Sequence, residues 1–295
     1  MLSTTLEIFR STRAADCEER AFVLTAVGVA SFIDFDGLQY VLRVEESNYS
    51  AARAHLERYA IESRPAPPPP PPPQLHPYAW TGCAIYILVL VGIGYAVAGG
   101  ALRLDAFDLG SADAARIQAG EWWRAWTALT LHVDASHLAT NLGAGAWFGY
   151  LAGRHIGPGK MWLLAVLGAG LANLAEGLIG PASHRAVGAS TAVFTVLGLF
   201  AAYSWRERFH LPQRWAMRWG PLIAGVLLLG WTGSEGERTD VVAHVSGFVT
   251  GAIMGAVVAL PGPRRAIMRI PQWVAGALAV GIIVLAWAFA LTQPV

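Results

Sequence analysis

The chain has 295 residues, of which 55% are hydrophobic and 14% charged, against the roughly 25% charged that soluble domains carry. Its net charge is +1 and it has two cysteines, Cys17 and Cys83. Those figures exclude a disordered chain, a disulfide scaffold, a multi-cysteine zinc site and a binder of nucleic acid through a global basic surface. A membrane protein, or a soluble protein with an unusually apolar core, remains.

Charge divides the chain. Residues 1–64 hold 17 of the 41 charged side chains, so this stretch reads as a small soluble α/β domain. Asp16 is a candidate cap for a helix ending near Gly28. Segments 32–35 and 38–44 flank Asp36-Gly37, a two-residue hairpin signal, and 50–62 reads as a closing amphipathic helix. About 64 residues bury little core, no catalytic constellation appears among them, and the partner of this domain is unspecified. No n-region followed by an apolar h-region occupies the first 30 residues, so insertion is expected to depend on internal helices.

A linker over 65–78 contains seven consecutive prolines, 67–73. Polyproline II geometry makes the nine residues 65–73 a semi-rigid spacer of about 28 Å.

Beyond the linker, charge-poor runs long enough to cross hydrocarbon recur at 79–100, 136–153, 161–180, 189–205, 219–234, 241–260 and 271–292. Seven spans put the two termini on opposite sides. With the N-terminus on side one, that side carries 16 of the 21 Lys and Arg residues. The positive-inside rule then makes the N-terminus cytoplasmic and the C-terminus external. Trp80, Trp205, Trp219 and Trp273 fall near span ends, as an interfacial belt requires. His155 and Lys160 read as orientation charges of a short inner loop. Glu176 reads as a snorkelling or hydrogen-bonded residue at its span end.

Polar groups inside a bilayer are costly, and three places carry them. The second span begins near His132 and holds His137 and Asn141; the fourth begins Gly188-Ala189-Ser190; the sixth carries His244. In the predicted topology these spans all start at the outer face, so the polar groups share one depth. His244, Gly247, Gly251 and Gly255 form one stripe of a helix, and small residues at that spacing admit a close neighbour. A serine on that neighbour would reach the imidazole, and a histidine base is what activates a serine nucleophile. His137 and Asn141, four residues apart, share a helical face and are suitable oxyanion donors with the Ser190 N–H.

From about 79 to 260 the chain resembles the rhomboid family of intramembrane serine proteases. The resemblance rests on Trp122-Trp123-Arg124 in the first loop, His132, His137 and Asn141 in the second span, Gly188-Ala189-Ser190, and Ala243-His244 followed by Gly247 and Gly251. It implies an all-α polytopic fold: a six-helix bundle over 79–260, with 261–295 adding a loop and a seventh C-terminal helix. It also implies a serine endopeptidase with a Ser190–His244 dyad and His137 and Asn141 at the oxyanion. Phe194 would lie against the catalytic histidine, His132 would structure the loop, and Trp122, Trp123 and Arg124 would sit in the membrane interface. No cofactor or metal is implied. The expected partners are transmembrane protein substrates and the lipid bilayer of a bacterial inner membrane, with no nucleic acid.

Thr191 departs from the family pattern, which has glycine after the serine. It favours the alternative of a pseudoprotease that binds transmembrane clients without cutting them, whereas Ser190 and His244 favour the peptidase. Taken singly, Ser190 reads as a packing serine and the glycine stripe as helix packing only. A zinc pair of His132 and His137 is disfavoured by their five-residue spacing. A transporter would need polar residues reaching the inner face, and those named cluster near the outer one.

Overall fold

The computed structural model describes residues 4–63, 75–100, 106–208, 215–232 and 240–293. The chain divides into two compact units, Met1–Pro72 and Pro73–Val295. The proline run 67–73 lies outside the described residues.

The first unit is built from β1 (Thr5–Ser11), α1 (Ala14–Ala26), β2 (Ser31–Phe35), β3 (Tyr40–Glu45) and α2 (Tyr49–Glu62). Its sheet is antiparallel in the order β1-β3-β2. Cys17, Leu24, Leu42, Val44 and Ala52 form its core. Strand β1 escapes a pattern reading because a bulge between Glu7 and Phe9 breaks the alternation. Two local expectations need correction. The β2–β3 connection has four residues, closed by Asp36 Oδ1 accepting from the Leu38 and Gln39 N–H groups at 2.9 and 2.8 Å. Asp16 lies in the first turn of α1 and accepts from Ser11 Oγ at 2.6 Å instead of capping the helix.

The second unit is helical. Its long helices are α3 (Trp80–Ala98), α7 (Ala135–Ile156), α8 (Pro158–Ile179), α9 (Ser190–Arg208), α10 (Trp215–Thr232), α11 (Val241–Val258) and α13 (Gln272–Leu291). These fall at the seven predicted spans. Four of them, α3, α8, α11 and α13, are long and apolar enough to cross a membrane by length and composition. Helix α7 is diluted by Ser136, His137, Thr140 and Asn141, and α10 by Arg218 and an internal Pro221. Between α3 and α7 the chain forms the short helices α4 (Ala106–Gly110), α5 (Ala114–Gln118) and α6 (Arg124–Thr127), and the segment predicted as a loop at 261–270 holds α12 (Pro261–Arg269). A two-residue strand β4 (Ala112–Asp113) pairs with β5 (Arg185–Ala186) ahead of α9.

The connection between α3 and α7 is fastened to α8. Asn173 Nδ2 donates to the Ala125 carbonyl at 2.9 Å and Trp126 Nε1 to that of Val166 at 3.1 Å. Trp123 and Arg124 pack into the protein: Arg124 is 1% exposed and Trp123 8%. The guanidinium tolerates this because Nε meets Glu121 Oε2 at 2.6 Å and Nη1 meets the Ser111 carbonyl at 3.1 Å. Trp122 alone of the three stays open, packing edge-on against Trp126 and Phe289. Lys160 is likewise buried inside α8, with Nζ donating to the Met268 carbonyl at 3.2 Å.

Helix α13 runs along α8. At its start Gln272 Oε1 accepts from the Lys160 N–H at 3.1 Å, and near its end Trp287 Nε1 donates to Thr130 Oγ1 at 3.0 Å. An apolar groove of about 880 Å³ lies between α3, α8 and α13, floored by Leu129, Thr130, Ala189 and Ala192.

Candidate active site

Ser190 is the first residue of α9 and is half-buried. The turn ahead of it needs Gly188, whose φ is +130°, a conformation L side chains rarely adopt. A Cβ on Gly188 would also lie 2.7 Å from the His137 ring, and 3.7 Å from Ser190 Oγ. Glycine therefore lets the His137 imidazole and the serine hydroxyl face the same small space. Two bonds hold the turn: the Gly188 N–H donates to the Ala128 carbonyl at 2.9 Å, and the Ala189 N–H to His132 Nε2 at 3.3 Å.

That second bond requires an unprotonated Nε2 on His132. Burial, with the neighbouring His137 imidazole adding to it, pushes His132 down to about 4. The ring is therefore neutral at pH 7 and available as an acceptor.

Helix α7 presents His137 and Asn141. Asp134 caps it, its Oδ1 accepting from the His137 N–H at 2.7 Å. The His132 and His137 rings meet edge to face at 5.1 Å. Asn141 is buried, and its Nδ2 donates to the His137 carbonyl at 3.1 Å. Its own carbonyl accepts from the Tyr86 hydroxyl at 2.8 Å. Tyr86 thus steadies this side of the site from α3, which no local sequence signal shows.

His244 comes from α11, one turn after Asp240. Asp240 Oδ1 accepts from the Ala243 N–H at 3.0 Å and its carbonyl from the His244 N–H at 3.1 Å. Helices α9 and α11 are in near-backbone contact. A Cβ on Gly247 would lie 2.6 Å from the Thr191 carbonyl, and one on Gly251 or Gly255 would run into the carbonyls of Thr195 or Leu199. Three successive turns of each helix are thereby locked together, which sets His244 beside the first turn of α9. The buried His244 ring lies 4.3 Å from the Phe194 ring, tilted by 34°. Thr191 is buried too, with its methyl on the side of Gly247.

The structure thus gathers Ser190, Gly188, His137 and His132 around one turn, with Phe194 and His244 stacked one helical turn along α9. Trp123 and Arg124 belong to the fastening of the α3–α7 connection instead. A serine, a buried imidazole from a neighbouring helix, and ring and backbone N–H donors are the parts an acyl-transfer site needs.

The Rhomboid domain model matches residues 119–261, the stretch that contains all of these groups. Rhomboid protease GluP of Bacillus subtilis (strain 168) is 31% identical over 155 residues, covering 52% of this chain and 29% of that protein. Rhomboid protease GlpG of Serratia proteamaculans (strain 568) is 31% identical over 138 residues, 45% of this chain and 46% of that protein. Rhomboid protease GlpG of Klebsiella pneumoniae (strain 342) is 29% identical over 153 residues, 50% of this chain and 52% of that protein. The chain spans about half or less of the length of these relatives.

Proposed function

Because the chain is a rhomboid-family protein through residues 119–261, we propose that it is an intramembrane serine endopeptidase working through Ser190 and His244. The observation that supports this reading is the glycine-mediated contact of α9 and α11, along which the buried His244 ring lies against Phe194, one helical turn after Ser190.

In this mechanism Ser190 Oγ attacks a peptide carbonyl of a locally unwound transmembrane segment. His244 accepts the serine proton and returns it to the leaving amine. The Ser190 N–H, the His137 ring and the second N–H of Asn141 Nδ2 stabilise the oxyanion. Water then attacks the acyl-enzyme with His244 again as base, releasing the carboxylate product. His132, held neutral, keeps the turn before the nucleophile in place. The predicted topology has this chemistry at the outer face of the membrane, with the N-terminus cytoplasmic. Substrates are membrane proteins whose spans contain small or helix-weakening residues.

The test is cleavage of a generic transmembrane substrate in liposomes by the purified protein, beside Ser190→Ala and His244→Ala. Cutting by the unmodified protein, abolished in both variants, is the expected result. Equal cutting by all three, or no cutting together with no labelling of Ser190 by a fluorophosphonate, defeats the reading.

A further inference from the structure

Glu176 does not snorkel. Its side chain is 7% exposed and turns toward His184 and Asp240. The three residues come from separate elements: the last turn of α8, the connection between α8 and α9, and the cap of α11. His184 Nε2 lies 3.3 Å from Glu176 Oε1 and 3.1 Å from Asp240 Oδ2. Donor atoms of all three fall within 4.8 Å of one another. Yet among the described residues Glu176 Oε1 and His184 Nε2, both buried, make no hydrogen bond. Arg185, next to His184 in the chain, is turned away, with Nε 2.7 Å from Asp113 Oδ2.

We propose that Glu176, His184 and Asp240 form a binding site for a divalent cation of the zinc class. Two carboxylates meet here around an imidazole that is a quarter exposed, with Glu176 the most buried of the three. One protonated histidine answers one of those charges; a dication answers both and gives each orphaned atom a partner. The spacing fits. Tetrahedral zinc with bonds of about 2.0–2.1 Å sets its ligands roughly 3.3 Å apart. One imidazole and two carboxylates suit a first-row divalent ion, and three protein ligands leave a position for water. A bound ion would join the capped start of α11, one turn before His244, to the connection that leads into Ser190. The inference rests on these three side chains and not on the peptidase reading.

The test uses the full chain purified in detergent and stripped with a chelator, titrated separately with Zn²⁺, Co²⁺, Mg²⁺ and Ca²⁺. One equivalent of Zn²⁺ is expected to bind and raise Tm by roughly 5 °C, with Co²⁺ giving the visible absorption of a low-coordinate site. Glu176→Gln and Asp240→Asn keep shape, and the latter keeps the capping oxygen, so both variants should fold. Each should weaken Zn²⁺ binding by about 100-fold or more, at or beyond the 10- to 100-fold that loss of an outer-shell partner alone brings. His184→Ala should behave alike, whereas Ser190→Ala and His244→Ala should bind Zn²⁺ as the parent does. The proposal is overturned if Zn²⁺ leaves Tm unmoved, if its effect survives in Glu176→Gln and Asp240→Asn, or if Mg²⁺ and Ca²⁺ act equally well. Zinc binding without any substrate cleavage would sink the peptidase reading alone, and cleavage without zinc binding would sink this one alone.

Discussion

Two helix seams in the same bundle use glycine in opposite ways. Along α9 and α11, Gly247, Gly251 and Gly255 face main-chain carbonyls, and Gly198 meets the Phe248 carbonyl from the other side. On the α3–α7–α8 side, Gly82 and Gly149 face the Trp162 ring, and Gly145 faces Tyr86. The first seam is backbone against backbone, where neither partner can yield. The second is backbone against ring, and the Tyr86 and Trp162 rings are themselves stacked, their centroids 4.5 Å apart. Of these two seams, the tighter joins the helices that carry Ser190 and His244. The ring-filled seam meets the candidate site through the Tyr86 hydroxyl, which donates to the Asn141 main-chain carbonyl at 2.8 Å.

Gly251→Val is the most severe way to break the first seam. A side chain there collides with the Thr195 main chain, so relief means separating the helices. Overpacking costs about 1–3 kcal/mol and more where nothing yields; we expect at least the upper figure. Cleavage of a transmembrane substrate should fall to the background set by Ser190→Ala. Retention of a tenth of the parent rate in folded protein would show that the seam does not position His244.

Trp162→Ala attacks the second seam and should separate stability from chemistry. Removing a buried tryptophan costs about 3–5 kcal/mol, and Trp162 is buried between two glycines. The midpoint of thermal aggregation should drop sharply while the rate per folded molecule stays within a few-fold of the parent. Trp162→Phe should be nearly neutral, because the indole Nε1 is buried without a hydrogen-bond partner and its loss strands nothing. A proportional loss of rate and stability in Trp162→Ala would erase the contrast between the seams.

A gentler probe is acid. His132 stays neutral in the folded protein down to about pH 4, while in the unfolded chain it takes a proton below about pH 6.5. The unfolded state therefore binds more protons between those values. Stability should be flat above about pH 6.5 and decline as pH falls toward 4, with this contribution exhausted below that. His132→Gln keeps an acceptor for the Ala189 N–H without a titrating ring. Its Tm should depend less on pH than the parent's across that window; parallel Tm curves would remove His132 from the loop's acid sensitivity.

Sequence reading went furthest where a periodic signal coincides with a chemical one. The stripe of His244, Gly247 and Gly251 announces a helix face that accepts a neighbour, and α11 meets α9 along it. The seven long helices followed from charge-poor runs in the same way. The burial of Arg124 is not legible in a Trp-Trp-Arg run; only the fold shows Glu121 and the Ser111 carbonyl meeting its donors. Glu176 and His184 lie on either side of the end of α8 and Asp240 far along the chain, so no spacing pattern links the three. Tyr86 supports Asn141 through a hydroxyl that crosses between helices, a contact made by tertiary packing alone. In the first unit, the bulge that hid β1 is a single extra residue, Ile8, seen only in its pairing with β3.

The smallest effect tests the argument about glycine directly, within one helix. Gly143 and Gly145 both lie in α7, between Asn141 and the far end of the span. A Cβ on Gly143 meets nothing within 4 Å, whereas one on Gly145 runs into the Tyr86 ring. Gly143→Ala should therefore leave activity unchanged and add up to about 1 kcal/mol through helix propensity. Gly145→Ala pushes on the ring whose hydroxyl holds the Asn141 carbonyl. Because a ring yields more readily than main chain, its cost should stay near the low end of overpacking, about 1 kcal/mol, with a modest loss of rate. If the two alanines behave identically, the crowding at Gly145 is absorbed without cost, and glycine in α7 has no role beyond helix composition.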